Sequence, residues 1–330
     1  MNKDAFIRIY PNELTTNVQI DFNIYSENGN IIKTKGEIID AGFLLKTNFL
    51  KIYRKKPSIF NSILLDDLLI SEYNQNLFKT EVQNNKGIFL IACPEKSGKS
   101  LLLNSLIRNL KEDGFSSAII NNFDIDDDCG IRHFNAANLS NEKVLEIIES
   151  TLNSTEQVIG IDDITAPSVI SRLIKFAPDN KIIFLTCTAS NSFDAFTKLE
   201  NIVEKSVLSK KLKGIFSQKL VPALCTNCKE KYQADFKVLN SIFNCNQDDK
   251  LYLFGPKACP VCDNKGYFGF LGIHEFLIIS DEIKEIMEKD NNINTIKSTA
   301  YESNFQDIKY DCLKKILCGL TSLSEYSESL

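Results

Sequence analysis

One stretch constrains the chain more than any other: Gly87-Ile-Phe-Leu-Ile-Ala-Cys-Pro-Glu-Lys-Ser-Gly-Lys-Ser100. An apolar run of strand length meets a turn ending in Ser97-Gly98-Lys99-Ser100. The residues after it, Leu101, Leu102, Leu103, Leu106, Ile107 and Leu110, turn an apolar face at helical spacing. Strand, Gly-Lys-Ser turn and helix in that order are the layout of a phosphate-binding loop. There the backbone N–H groups of residues such as Ser97 and Gly98, with the positive end of the helix, cradle a polyphosphate. Lys99 is placed to neutralise the outer phosphates and Ser100 to hold Mg²⁺ through its hydroxyl. The usual pattern has glycine where Cys93 stands, and a Cβ there predicts a partly obstructed turn and weakened phosphate binding. An ordinary strand-to-helix turn that contains Gly-Lys-Ser is the alternative.

Downstream, apolar runs alternate with amphipathic stretches. Ser116–Ile120 reads as a strand, followed by Asp124, Asp126, Asp127 and Asp128, which fit either a metal-proximal cluster or a solvated acidic turn. A helix is expected near 141–153. The run Gln157-Val-Ile-Gly-Ile161 then ends in Asp162 and Asp163, where one carboxylate orients Mg²⁺ and the other polarises an attacking water. Asp162 is the candidate metal-orienting residue and Asp163 the candidate catalytic one. A helix from Pro167 and a strand over 181–186 complete the series. Strands alternating with helices predict a mostly parallel sheet with helices on both faces.

Upstream, Val18, Ile20, Phe22 and Ile24 alternate with polar neighbours, and Asn28-Gly29 supplies a turn before a second strand near 31–39, so 5–40 reads as an antiparallel sheet. Lys51, Arg54, Lys55, Lys56 and Pro57 mark a linker, and 59–84 has helical apolar spacing. The expected organisation is a small β domain with its linker over 1–58, an α/β domain over 59–215, a cysteine lobe over 216–278 and a helical region over 279–330.

That cysteine lobe holds two Cys-x-x-Cys knuckles, Cys225/Cys228 and Cys259/Cys262, separated by 30 residues. Two thiolates on each of two turns complete a closed tetrahedral Zn²⁺ site of structural type. Cys245 lies between them without a partner at short spacing. Of ten cysteines in all, none accompanies a secretion signal, because Met1-Asn2-Lys3-Asp4 is too polar to begin one, and thiols of a cytoplasmic protein stay reduced. No stretch reaches the roughly 18 apolar residues of a membrane span. A net charge of -5 argues against nucleic acid as a partner. A zinc-dependent nucleic-acid module stays as a lesser alternative, since Lys229, Lys231, Lys257 and Lys265 are diluted by acids and lack an aromatic ladder.

The segments Leu212–Cys225, with Gln218 and Leu220, and Cys259–Cys262 with Gly266-Tyr-Phe-Gly269-Phe-Leu-Gly272-Ile-His-Glu275, then Gly319-Leu-Thr321-Ser-Leu323-Ser-Glu325, resemble the C-terminal half of type II secretion and type IV pilus assembly ATPases. The resemblance implies an α/β fold with a RecA-like P-loop NTPase domain, a small N-terminal β-rich domain and a C-terminal zinc-binding and helical lobe. ATP and Mg²⁺ are the implied cofactors beside structural Zn²⁺. A cytoplasmic homo-hexamer peripheral at the inner membrane is implied too, working with a membrane platform protein and other pilus or secretion components. The zinc lobe favours the assembly and secretion branch over the retraction ATPases.

Departures fall in the catalytic parts. Cys93 and Lys96 stand where the family's loop has glycines, and Asp162-Asp163 where it has Gly-Glu, so Asp163 is one methylene short of the family's glutamate. Lys181 and Thr188 stand near its histidine box, and arginine occurs only at Arg8, Arg54, Arg108, Arg132 and Arg172. These losses point to a degenerate member that binds nucleotide weakly and acts by protein contacts, alone or in a mixed ring with an intact ATPase. A working motor is the alternative.

Overall fold

Runs that are apolar at every position can bury both faces only inside a sheet covered on two sides, and helices that follow them supply the cover. The computed structural model describes residues 19–25, 31–38, 44–47, 51–53, 65–122, 130–164, 166–235, 240, 251–289 and 292–328. It divides into two units, Met1–Ser62 and Ile63–Leu330.

In the first unit, β1 (Gln19–Tyr25), β2 (Ile31–Ile38), β3 (Leu44–Thr47) and β4 (Lys51–Tyr53) form an antiparallel meander in that order. Tyr25 faces Ile31, as the expected hairpin requires. The Asn28-Gly29 turn and the basic residues Arg54–Lys56 lie outside the described residues.

The second unit begins its regular structure with α1 (Glu72–Asn84), β5 (Gly87–Cys93), α2 (Lys99–Glu112), β6 (Ser117–Asn121) and β7 (Arg132–Asn135). Then follow α3 (Asn141–Leu152), β8 (Val158–Ile161), α4 (Pro167–Phe176), β9 (Ile182–Thr188), α5 (Ser192–Glu200) and α6 (Lys205–Lys211). The remainder is β10 (Leu212–Leu224), β11 (Glu230–Gln233), β12 (Tyr252–Gly255), β13 (Tyr267–Ile278), α7 (Asp281–Lys289), α8 (Ile293–Glu302), α9 (Ile308–Leu317) and α10 (Leu323–Glu328). The expected helix over 59–84 is shorter. Ser71 accepts a hydrogen bond from Asn74 N and caps α1, while Leu69 before it takes φ +55° and is exposed.

Seven strands form one sheet in the order β13-β10-β5-β9-β8-β6-β7, parallel throughout except for β13, which runs antiparallel to β10. Every residue of β5 is buried. Ile88, Leu90 and Ala92 enter the core on one face with residues of α3, α4 and α5, whereas Phe89, Ile91 and Cys93 enter the other with α1 and α2. β10 and β13 are long enough to serve both this sheet and a third core, in which Val221, Leu271 and Ile273 meet Leu253 of β12 and Ile308, Cys312 and Ile316 of α9. The cysteine knuckles begin where β10 ends, and β13 starts just after the second.

Candidate functional site

All the parallel strands of the sheet present their carboxyl ends on one side, which is where ligands bind in such folds. β5 delivers the expected loop there, and α2 rises from it. Five helices, α1, α3, α5, α8 and α9, are capped by a side chain of Ser71, Ser140, Asn191, Asn292 or Asp307. α2 starts at Gly98, in the left-handed region at φ +78°, and, like α4 and α6, has no side-chain cap hydrogen bond among the described residues. A helix start left open in this way suits an anion.

Cys93 does not obstruct the turn. Its side chain is buried in the cluster that holds Ile91, Leu102 and Leu106, and burial pushes its thiol up to about 12. The cost of the missing glycines sits instead at Lys96, which takes φ +59°. Glycine adopts that region freely, while a side chain pays about 1 kcal/mol for it. Two bonds hold the turn: Ser97 Oγ donates to the Pro94 carbonyl at 2.5 Å, and Gln218 Nε2 donates to the Ser97 carbonyl at 2.6 Å. A cavity of about 550 Å³ opens beside it, lined by Pro94, Lys96, Ser97, Lys219 and Phe270 among others.

Both acids follow β8, next but one to β5. Asp162 is fully buried, its Oδ1 accepts from the Thr186 hydroxyl at 2.9 Å, and its Oδ2 has no hydrogen-bond partner among the described residues. Burial raises its carboxyl above the ordinary value, against the pull of the nearby Ser100 and Thr186 hydroxyls and Lys99. Asp163 takes φ +57°, donates its N–H to Thr186 Oγ1 at 2.9 Å and receives Asn122 Nδ2 on its carbonyl at 2.9 Å. Its half-exposed carboxylate meets Lys99 Nζ at 3.4 Å. The structure thus brings Lys99, Ser100, Asp162 and Asp163 together beside the turn that holds Ser97 and Gly98. A buried anionic oxygen without a partner, beside a serine hydroxyl, is a donor set that fits Mg²⁺, a hard cation bound largely through water.

Three participants are missing from the sequence reading. Thr186 binds both acids, Asn122 holds the Asp163 backbone, and Gln218 holds the loop. Thr186 left one signal, a hydroxyl directly after the apolar run Ile182–Leu185. Lys181 is a correction: its ammonium binds the Ser154 and Glu156 carbonyls at 2.7 and 2.6 Å, and its own carbonyl accepts from Gly87 N, where β5 begins. Parallel strands put that end opposite the loop, so Lys181 takes no part in the site. Thr188, facing Cys93 in the register, is at the correct end. Asp124, Asp126, Asp127 and Asp128 lie outside the described residues. Among the described arginines, Arg132 pairs with Glu156 at 2.5 Å and Arg172 with Glu149 at 2.8 Å.

The four knuckle cysteines form a second centre. Their sulfurs lie within 4.8 Å of one another, with Cys225–Cys259 at 3.9 Å, Cys228–Cys262 at 3.7 Å and Cys259–Cys262 at 3.6 Å. A tetrahedron of sulfurs about 2.3 Å from Zn²⁺ has edges of about 3.8 Å, so the arrangement fits the ion. Asn227 Nδ2 donates to Cys259 Sγ at 3.5 Å and Gly266 N to Cys262 Sγ at 3.2 Å, bonds that favour thiolates. The Asn227 amide draws the Cys259 thiol down to about 6.

Residues 50–328 match the family described as Type II/IV secretion system protein. The type II secretion system ATPase E of Vibrio cholerae is 26% identical over 265 residues, which cover 79% of this chain and 52% of that protein. The type IV pilus assembly ATPase TfpB of Acinetobacter baylyi is 23% identical over 275 residues, 81% of this chain and 45% of that one. The chain thus spans about half the length of these relatives. Among solved structures, the Legionella pneumophila ATPase DotB superposes with a TM-score of 0.59 at 14% identity, over 94% of this chain and 77% of that one. The pilus retraction motor PilT with bound ADP gives 0.53 at 16%, over 95% and 78%. These two likenesses establish the fold, a mixed α/β architecture around a parallel sheet.

Proposed function

The chain belongs to the Type II/IV secretion system protein family, and from that premise we propose that it binds a nucleoside triphosphate with Mg²⁺ as a component of a pilus or secretion assembly machine and turns it over slowly or not at all. The observation that carries this reading is the Lys99–Asp163–Thr186–Asp162 constellation around an uncapped helix start. Ser97, Gly98 and Lys99 would hold the phosphates, and Ser100 with Asp162 would hold Mg²⁺, which when bound neutralises the charge of the terminal phosphates.

Slow turnover is supported by the position of Asp163. Its backbone is fixed by Thr186 and Asn122, and its side chain is one methylene shorter than the glutamate of the family pattern, so its carboxylate stops short of where a glutamate would reach an attacking water. A misplacement of about 1 Å can cost roughly 100-fold in rate. Arg132 and Arg172 are committed to glutamates, and such charge-stabilising groups normally supply the largest part of catalysis. On this reading the protein works through contacts with an inner-membrane platform protein and other machine components, in a ring of its own or one shared with an active ATPase, at the cytoplasmic face of the membrane. The cysteine centre holds a structural Zn²⁺.

Titrating the zinc-replete protein with Mg²⁺-ATP beside Lys99→Ala tests the binding, and turnover by Asp163→Asn tests the rate. A rate above background that Asp163→Asn abolishes would identify a working motor in place of the slow member proposed.

A further inference from the structure

Behind the phosphate loop runs a line of buried polar groups that ordinary packing does not require. Gln218, on β10 beside Ser217, which faces Ala92 of β5, donates through Nε2 to the Ser97 carbonyl at 2.6 Å. Its Oε1 lies 2.7 Å from Nε2 of His274, on the neighbouring strand β13. A carboxamide oxygen only accepts, so the proton of His274 is on Nε2 and its Nδ1 is a bare acceptor. Lys315 Nζ, on α9, faces that Nδ1 at 3.4 Å. The same ammonium donates to the Gly272 carbonyl and, at 2.7 Å, to Asp311, whose carboxylate also accepts from the backbone N–H of His274 at 2.7 Å. Gln218, His274, Asp311 and Lys315 are each at most 5% exposed.

The donors in this line run one way, from Lys315 to His274, from His274 to Gln218 and from Gln218 to the loop, while the other two Lys315 protons go to Gly272 and Asp311. Burial and the Lys315 charge keep the imidazole neutral, in the single tautomer that the line needs. Rotating the Gln218 amide would set two donors against each other and leave two acceptors facing. Its orientation is therefore fixed from both ends, by the Ser97 carbonyl and by the line that runs back to α9. The adjoining side of α9, with Ile308, Cys312 and Ile316, is rooted in the core that contains Leu253 of the cysteine lobe.

We propose that Gln218 is the positioning residue of the phosphate loop and that His274, Lys315 and Asp311 lock it, so that the loop's grip on a nucleoside triphosphate depends on the polar side chains of this line as far away as α9. The inference rests on the nucleotide-binding reading above, and the two fail separately. The loop needs such a brace because Lys96 holds a left-handed conformation that glycine would adopt without strain.

Calorimetric titration with Mg²⁺-ATP is the test, with hydrogen exchange of the protein without nucleotide read alongside. Gln218→Met keeps the volume and removes both bonds, and the expected loss of affinity is about tenfold. Lys315→Met, at the far end, is expected to weaken binding by a similar factor although it touches neither loop nor ligand. Because that change leaves Asp311 buried and unpaired, the double variant Asp311→Asn with Lys315→Met, which removes both charges, accompanies it. Cys312→Ala perturbs the apolar face of the same helix and is expected to leave affinity within twofold of the parent. Equal weakening by Cys312→Ala, or unchanged affinity in Gln218→Met or in both far-end variants, would overturn the proposal. Should the parent not bind Mg²⁺-ATP, the nucleotide reading fails and exchange decides the rest. Faster exchange over 97–102 in Gln218→Met and in the far-end variants, but not in Cys312→Ala, would establish the brace, and no such difference would remove it.

Discussion

Thr186→Val removes a hydroxyl that serves both acids of the site and leaves the shape of the buried side chain almost unchanged, so no cavity term enters. Two bonds are lost: the one donated to Asp162 Oδ1 at 2.9 Å and the one accepted from Asp163 N at 2.9 Å. Leaving a buried polar group unsatisfied costs about 1–3 kcal/mol, with bonds to charged groups at the upper end, so the pair amounts to about 3 kcal/mol. For a unit of this size that is a fall in melting temperature of roughly 5 °C, read by scanning calorimetry. The pH dependence carries the more specific signature. Burial already raises the folded-state pKa of Asp162 above its ordinary value of 3.8, which penalises the native state at pH above that raised pKa. Losing the Thr186 bond raises it further and enlarges the penalty. As pH falls through the raised pKa toward 3.8 the carboxyl protonates in the native state, the penalty disappears, and the deficit of Thr186→Val shrinks. A deficit below about 0.5 kcal/mol at neutral pH, or one that does not shrink on acidification, would refute the reasoning.

Cys259→Ser is expected to release one zinc per chain, measured by metal analysis of freshly purified protein, and to loosen the residues between Leu224 and Tyr267 in hydrogen exchange. Metal-free parent protein would contradict the site. Lys181→Met strands the Ser154 and Glu156 carbonyls and should cost about 2 kcal/mol in urea unfolding while Mg²⁺-ATP affinity stays at the parental value. An affinity that falls with it would return Lys181 to the site.

The phosphate loop, both acids and the four cysteines were legible because each is local: a strand, turn and helix in one run, an apolar strand ending in acids, and thiols at knuckle spacing. Thr186, Asn122 and Gln218 were not, because each acts on a residue from another strand, and which strands are neighbours is a property of the sheet order. The displaced Lys181 shows the same limit. Its number places it near β9, but only the parallel register shows that it sits at the end of the strand away from the ligand. Cys93 and Lys96 exchanged roles for a related reason. Spacing identifies both as replaced glycines, whereas only backbone angles separate the one that tucks into the core from the one that carries the strain. The helix expected from 59 starts at Glu72 because Ser71 caps it, a local signal that the apolar spacing of Leu68 and Leu69 obscures.

The central claim is that this loop still binds a nucleoside triphosphate, and the most direct measurement is the calorimetric titration of zinc-replete protein with Mg²⁺-ATP against Lys99→Ala. Saturable binding to the parent that Lys99→Ala abolishes is the predicted result. No binding to either protein, with zinc retained and the fold intact, would contradict the claim.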